Sequence, residues 1–272
     1  MTSQRQSPSP LLFVIAGLFV LFLIGGYMLW RAPPKETPAT PQASQAASNA
    51  ADDAVAAAGM SDADRKATEA VVRAYILENP EIIPEAVEIL QKREIAERLT
   101  AVGSTVTRPF PGAEAGNPNG DITLVEFTDY NCGFCRASVA DVQRLLKNDG
   151  NIRLIYRELP ILSQSSRDAA LWALAAAKQG KHKAFHDALF AGGRTNEATI
   201  MVAARSAGLD LAAAQKFAAS AEAAQEIERN LAMMQQLGFN GTPTFIIGDQ
   251  ILEGALGYDA LKAAVEKARK KA

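Results

Sequence analysis

Residues 122–135 read ITLVEFTDYNCGFC: a strand-length apolar run, a short polar turn, then both cysteines of the chain three positions apart. Ile122–Thr128 carries apolar residues on both faces, which predicts a strand inside a sheet rather than at its edge. A helix should follow, because Cys135, Val139, Val142 and Leu146 recur at i, i+4, i+7 and i+11 up to Gly150. Residues 151–157 (NIRLIYR) are the next strand, closing at Pro160. Strand, helix and strand at this spacing imply a right-handed parallel crossover. Residues 165–237 then read as consecutive helices, with Ser165 and Ser166 before the first and His182–Phe190 as the second. Thr195, Asp210 and Ser220 are N-cap candidates for three more. Thr244–Ile247 and Gln250–Glu253 form a hairpin around Gly248-Asp249, and Asp259–Lys270 is a last helix. The fold class is therefore α/β, ordered β-α-β, helical insertion (about 163–238), β-β-α.

The pair Cys132-Gly133-Phe134-Cys135 carries the chemistry. As a staple it is poor, since so small a ring removes only about 2 kcal/mol of unfolded-chain entropy. As a metal site it supplies two thiolates, short of the usual four ligands, and no metal is assigned. His182 and His186, four apart, are expected to form an ordinary helix face at a solvated turn. Redox cycling needs what is present: a thiolate where a helix N-terminus lowers its pKa, and a second sulfur one turn away. Cys132, at the first turn, is the expected nucleophile, and Cys135, pointing back toward the sheet, the buried resolver. Gly133 and Phe134 add no positive charge, which favours a moderately oxidising or isomerising couple over an extreme oxidant. Phe134 could give an apolar contact to an unfolded chain or be a merely exposed aromatic. Glu126 lies in an otherwise apolar strand, where a charge is expensive unless used, so proton exchange with Cys135 is expected. Gly241-Thr242-Pro243-Thr244 precedes an apolar strand; a cis Thr242–Pro243 bond could set the Thr242 backbone beside the sulfurs and pair with a bound polypeptide.

The chain has 272 residues, 48% hydrophobic and 21% charged, with a net charge of −2 and two cysteines. That apolar fraction excludes collagen-like and disordered classes, and two cysteines exclude a disulfide framework. Near-neutral charge and 7% aromatics give no reason to expect nucleic acid. Residues 11–30 (LLFVIAGLFVLFLIGGYMLW) lack any charge and at helical rise cover about 30 Å, the thickness of a bilayer core. The run is longer than a signal-peptide core, and Trp30-Arg31-Ala32-Pro33-Pro34 follows it, so a retained anchor is expected with residues 1–10 as a short tail. Residues 31–60, rich in Pro, Ala, Ser and Thr, read as a disordered tether with an r.m.s. reach of about 30 Å. Residues 61–103 read as two amphipathic helices forming an arm. Ser61 or Asp62 caps the first, with Val71, Val72, Tyr75 and Ile76, and Asn79-Pro80 stops it. The second starts near Pro84, with Ile83, Val87 and Leu90 on one stripe that Ile95 and Leu99 extend toward Gly103. Such an arm either pairs with copies of itself through 61–100 or caps its own domain.

Residues from about 116 to 268 resemble the DsbA-like branch of the thioredoxin superfamily. The likeness rests on GNPNGDITLVEFTDYNCGFC (116–135), RELPIL (157–162), HKAFHDALF (182–190) and GTPTFIIG (241–248). It implies a thioredoxin fold over 104–272, an extracytoplasmic site and thiol–disulfide exchange on cysteine-containing secreted polypeptides. The family's redox cysteines map onto Cys132 and Cys135, its cis-proline onto Pro243 and its buried acid onto Glu126. Gly-Phe between the cysteines, with Thr before the proline, looks more like the isomerase type than the strongly oxidising Pro-His members. The arm is similar to the N-terminal segment of ScsC-like and Com1-like proteins, some of which oligomerise through it. The resemblance implies an amino terminus inside, a periplasmic catalytic domain, no cofactor and a DsbB-like or DsbD-like redox partner in the inner membrane. The rival class is a binding protein without turnover, a copper or zinc carrier or a holdase using the same cysteines.

Overall fold

The strand β2 (Ile122–Thr128) buries both of its faces, and the period of two sorts its side chains into two separate cores. Ile122 and Leu124 join Ile152, Leu154, Phe245 and Ile247 on one side of the sheet. Val125 and Phe127 join Ile155 and Ile246 on the other. The structure, a computed structural model, describes residues 49–50 and 52–271. The expected span 11–30, the tail before it and residues 31–48 of the tether lie outside the described residues. Among those described, no helix is long and apolar enough to cross a membrane. Residues 52–57, read as tether, are helical instead, as their alanine-rich composition favours, and Gly59 at φ +64° follows them.

The chain divides into two compact units between Pro80 and Glu81, within the expected arm 61–103. In the first unit α1 (Asp62–Glu78) starts on a capping box between Ser61 and Asp64 and buries none of its residues. The second unit opens with α2 (Ile82–Val102), in which Pro84 sits in the first turn as expected. Leu99 and Val102 pack with Met233 and Leu237, because the last turn of α2 reaches the core, and Ile83, Val87 and Leu90 stay exposed. The stripe that looked continuous in sequence thus has two environments.

Five strands run in the order β1-β3-β2-β4-β5. β2 pairs in parallel with β3 (Ile152–Glu158), and on its other side antiparallel with β4 (Thr244–Ile247), which turns into β5 (Gln250–Glu253). The edge strand β1 (Glu114–Gly116) has no signal in the sequence; three residues are too few for a period to show. α3 (Gly133–Asn148) and α9 (Tyr258–Arg269) are the amphipathic helices expected around the sheet. Between β3 and β4 stand α4 (Gln164–Lys178), α5 (His182–Ala191), α6 (Glu197–Ser206), α7 (Leu211–Ala218) and α8 (Ala221–Leu237). Asp210 and Ser220 cap α7 and α8 as expected. Two caps differ. Ser163, not Ser165 or Ser166, caps α4, accepting from the Ser166 N–H. Asn196, not Thr195, caps α6 in a reciprocal pair with Thr199, while the Thr195 N–H donates to Asn131 Oδ1 at 2.9 Å.

Arg157 fixes the entry to the domain. It is a nearly buried cation on β3, and its Nη1 donates to Glu226 at 3.0 Å and to Asn230 at 3.3 Å. Its Nη2 reaches the carbonyls of Thr105 and Val106 at 2.6 and 3.2 Å and that of Arg108. One guanidinium therefore ties the segment after α2 to both the sheet and α8.

Candidate active site

The turn between β2 and α3 is built around Asp129, which is 1% exposed. Its Oδ2 accepts from the Ile161 and Leu162 N–H groups at 2.9 and 3.0 Å, and its Oδ1 from the Asn131 N–H at 2.8 Å. Its carbonyl accepts from the Cys132 N–H at 3.0 Å. The carboxylate thus sets the turn that delivers Cys132 to the N-cap of α3, where its sulfur accepts the Cys135 N–H at 3.3 Å. The Thr242–Pro243 peptide is cis, and the Thr242 carbonyl lies 3.1 Å from Cys132 Sγ. The structure thus brings Cys132, Cys135, Thr242 and Pro243 together as the sequence predicts. Phe134 is 68% exposed beside them.

The two sulfurs are free thiols with opposite environments. Cys132 is pulled down from 9.0 to about 5, first by the Cys135 thiol donating to it, then by Thr242 and the Cys135 and Phe134 N–H groups, against burial. Burial, with its thiol engaged by Cys132, pushes Cys135 far up. The depression at Cys132 is deeper than the absence of charge on Gly133 and Phe134 suggested, because neutral donors produce it. Alkylation by iodoacetamide should therefore titrate near pH 5. At neutral pH Cys132 should be almost wholly thiolate, against about 3% of an ordinary thiol, with Cys135 unmodified. A titration centred near the ordinary thiol value would contradict this environment.

Glu126 sits in β2 between Tyr156 and Phe245 of the neighbouring strands, fully buried, and its Oε1 has no hydrogen-bond partner. Burial, then the nearby Glu158, raises its pKa to about 8. At neutral pH it therefore carries a proton.

Behind the turn lies a polar network the sequence reading missed. Glu158 Oε1 contacts His182 Nε2 at 2.7 Å and accepts from the Tyr130 hydroxyl at 3.2 Å, and that hydroxyl lies 3.3 Å from His186 Nδ1. Burial holds Tyr130 up and His186 well down, and it raises Glu158 despite the His182 contact. His182 and His186 are therefore not on a solvated face: they are 1% and 2% exposed. The signal was available. His182, Phe185, His186, Leu189 and Phe190 form one i, i+3, i+4, i+7, i+8 stripe, and all five are buried. Glu158 contacts His182 and Tyr130 contacts His186, and among the described residues neither imidazole hydrogen-bonds a cysteine sulfur.

Asn131 joins this site to the insertion. Its Nδ2 lies 2.8 Å from Ser163 Oγ, 2.8 Å from Ser165 Oγ and 3.2 Å from Ser166 Oγ. Arg136, just after Cys135, donates to the carbonyls of Phe190 and Gly193 at 3.0 and 2.5 Å, which fixes the loop leading to Thr195.

The family described as Thioredoxin matches residues 111–267, more than half of the chain. The Copper resistance protein ScsC N-terminal domain matches residues 64–97. The chain is similar to the crystal structure of a thioredoxin-like oxidoreductase from Silicibacter pomeroyi DSS-3, with 44% identity and a TM-score of 0.59, covering 62% of this chain and 98% of that one. It is similar to a linker-deletion variant of Proteus mirabilis ScsC, with 26% identity and a TM-score of 0.63 over 78% of this chain and 98% of that one. It is also similar to the thiol-disulfide exchange protein alpha-DsbA2 from Wolbachia pipientis, with 27% identity and a TM-score of 0.61 over 65% and 97% of the two chains. Among curated relatives, Na(+)/H(+) antiporter NhaA 1 of Salinispora arenicola is 31% identical over 150 residues, which are 54% of this chain. The chain spans only 23% of that antiporter's length.

Proposed function

The chain belongs to the thioredoxin superfamily as a DsbA-like, ScsC-like thiol–disulfide oxidoreductase, and from that premise we propose that it forms or isomerises disulfide bonds in secreted polypeptides. The observation that carries this reading is the split between the sulfurs: Cys132 lowered to about 5 at a helix tip, and Cys135 raised and 0% exposed behind it.

The Cys132 thiolate attacks one sulfur of a client disulfide. That S–S bond breaks, the far client sulfur leaves as a thiolate and takes a proton, and a Cys132–client mixed disulfide remains. Cys135 then gives up its proton and attacks Cys132 Sγ, the client leaves as a thiol, and two electrons have passed from enzyme to client. Run in reverse, a client thiolate attacks oxidised Cys132 and Cys135 departs. We assign Glu126, protonated at neutral pH, to give a proton to the departing Cys135 thiolate in the reverse direction; in the forward direction its ionised fraction, about a tenth at pH 7, takes the Cys135 proton. The Thr242 backbone flanks a client strand, and Phe134 offers it an apolar contact. A thiolate stabilised this strongly favours the reduced enzyme and hence oxidation of clients, while an isomerase role follows if a membrane partner keeps the pair reduced.

The apolar span 11–30 supports a single-pass inner-membrane tether with the catalytic domain in the periplasm, where disulfides persist. Exposed Val71, Val72, Tyr75, Ile83, Val87 and Leu90 support self-association through 61–100. A DsbB-like or DsbD-like membrane protein is the redox partner this scheme requires.

Refolding of ribonuclease tests the function. Recovery from the reduced substrate by oxidised protein indicates oxidation, and recovery from the scrambled substrate by reduced protein indicates isomerisation. Loss of neither lag nor yield on replacing Cys132 with alanine would refute both.

A further inference from the structure

A cluster of buried polar side chains occupies one face of the β2–β3 pair. Glu126 is in register with Tyr156, and Thr128 with Glu158, so Glu126 and Glu158 stand on the same face as diagonal neighbours. Tyr156 packs on both imidazoles of α5, its ring centre 4.7 Å from that of His182 and 4.6 Å from that of His186. Tyr130, from the turn that carries Cys132, completes the group, and none of these six titratable side chains is more than 4% exposed. The hydrogens of the cluster run toward one atom. The Tyr130 hydroxyl has a single hydrogen, donated to Glu158 Oε1 at 3.2 Å, so a ring hydrogen on His186 Nδ1 fills the 3.3 Å contact behind it. His182 Nε2, 2.7 Å from the same oxygen, is the second donor. An oxygen that receives two donors, one of them backed by a third, is built to hold negative charge in a buried site. Glu126 has no such support, since its Oε1 is without a hydrogen-bond partner. Of these two neighbouring carboxyls, the charge therefore settles on Glu158 and the proton on Glu126.

We propose that Glu158 is a positioning residue of the exchange reaction: held as a carboxylate by His182 and Tyr130, it keeps the proton on Glu126 and so restrains the release of clients. The inference rests on the reading in which Glu126 exchanges a proton with Cys135, and adds what sets the balance of that exchange. Release requires ionised Glu126 to take the Cys135 proton, and a negative neighbour disfavours that ionised form. The surrounding charges do not replace Glu158 in this role. Asp129 acts on Glu158 itself, Lys183 on His186 and Asp187 on Tyr156, while Arg157 is engaged by Glu226. From β4, Glu126 faces the uncharged Phe245, and α3 contributes the two cysteines. Glu158 is the charge that acts on Glu126, after burial.

Glu158→Gln tests this, because it keeps an acceptor oxygen for His182 and Tyr130 and removes the charge. In full-length protein with carbon-13 glutamate, NMR follows the carboxyl titrations of Glu126 and Glu158, assigned by through-bond correlation. Mass spectrometry of quenched samples follows release of a client peptide from its Cys132 mixed disulfide. In wild type, Glu158 should be ionised at pH 7 while Glu126 titrates near 8. In Glu158→Gln the Glu126 midpoint should fall by on the order of one pH unit. The ionised fraction of Glu126 at pH 7 then rises from about a tenth to about a half, so release should quicken about two- to fivefold, where a merely structural lesion would slow it. That gain should vanish in the Glu126→Gln background. A Glu126 midpoint unmoved by Glu158→Gln would overturn the inference, as would a protonated Glu158 at pH 7 in wild type. The second result needs no variant of Glu158 and decides the matter even if Glu158→Gln does not fold. A wild-type release rate indifferent to Glu126→Gln would instead overturn the proton role of Glu126 itself, and this inference with it.

Discussion

Replacing Cys135 with alanine is expected to give a protein that captures clients and does not release them. The Cys132 thiolate still attacks, but the mixed disulfide then depends on an outside thiol for resolution. The inner sulfur is held one helical turn away, hydrogen-bonded to Cys132 in the reduced state, so its attack is intramolecular. Losing that proximity should slow release by at least about a thousandfold. Covalent adducts sensitive to reductant should accumulate on non-reducing gels, and the Cys132→Ala, Cys135→Ala double variant should form none. A second change is expected in the same protein. The Cys135 thiol is the leading cause of the low Cys132 pKa, so the alkylation midpoint should move upward from about 5. Absence of adducts, with the midpoint unmoved, would contradict both roles.

The other large effect concerns Glu126 and pH. Its folded pKa is about 8 against 4.5 for an unperturbed glutamate, with burial as the main cause. Between those values the folded state binds the proton and the unfolded state does not, so stability falls as pH rises. The slope is about 1.4 kcal/mol per pH unit, which makes this group alone cost about 3 kcal/mol at neutral pH relative to acid. Glu126→Gln removes the titration. Its thermal midpoint should lie close to wild type near pH 4.5 and rise above it by about 10 °C at pH 7. On the proton role proposed for Glu126, the same variant should also slow resolution of mixed disulfides. Parallel pH curves for the two proteins would mean Glu126 is ionised in the fold.

The catalytic stretch was legible because three independent patterns coincide there: a double-sided apolar strand, a helical period and paired cysteines at their junction. Cys132, Cys135, Thr242 and Pro243 all came together as read. The polar network did not. Both histidines fall on the buried stripe of α5, but Glu158 closes a strand where a surface charge is ordinary, so only contact between β3 and α5 reveals the partner. Asn131 was invisible for the same reason, since its partners lie more than thirty residues away. Helix caps were misplaced by one to three residues where several Ser, Thr or Asn candidates were adjacent, because spacing alone does not select among neighbours that can each cap. The arm misled in another way: amphipathic spacing is the same whether a stripe meets its own domain or nothing, and α2 does both.

The guanidinium of Arg157 also has a mechanical meaning. Tension from a tethered amino terminus would enter the domain through Val102–Arg108, the segment whose carbonyls that side chain grips. The load then passes into β3, which is paired on both sides, so that several interactions must shear at once. It does not unzip the three-residue edge strand one bond at a time.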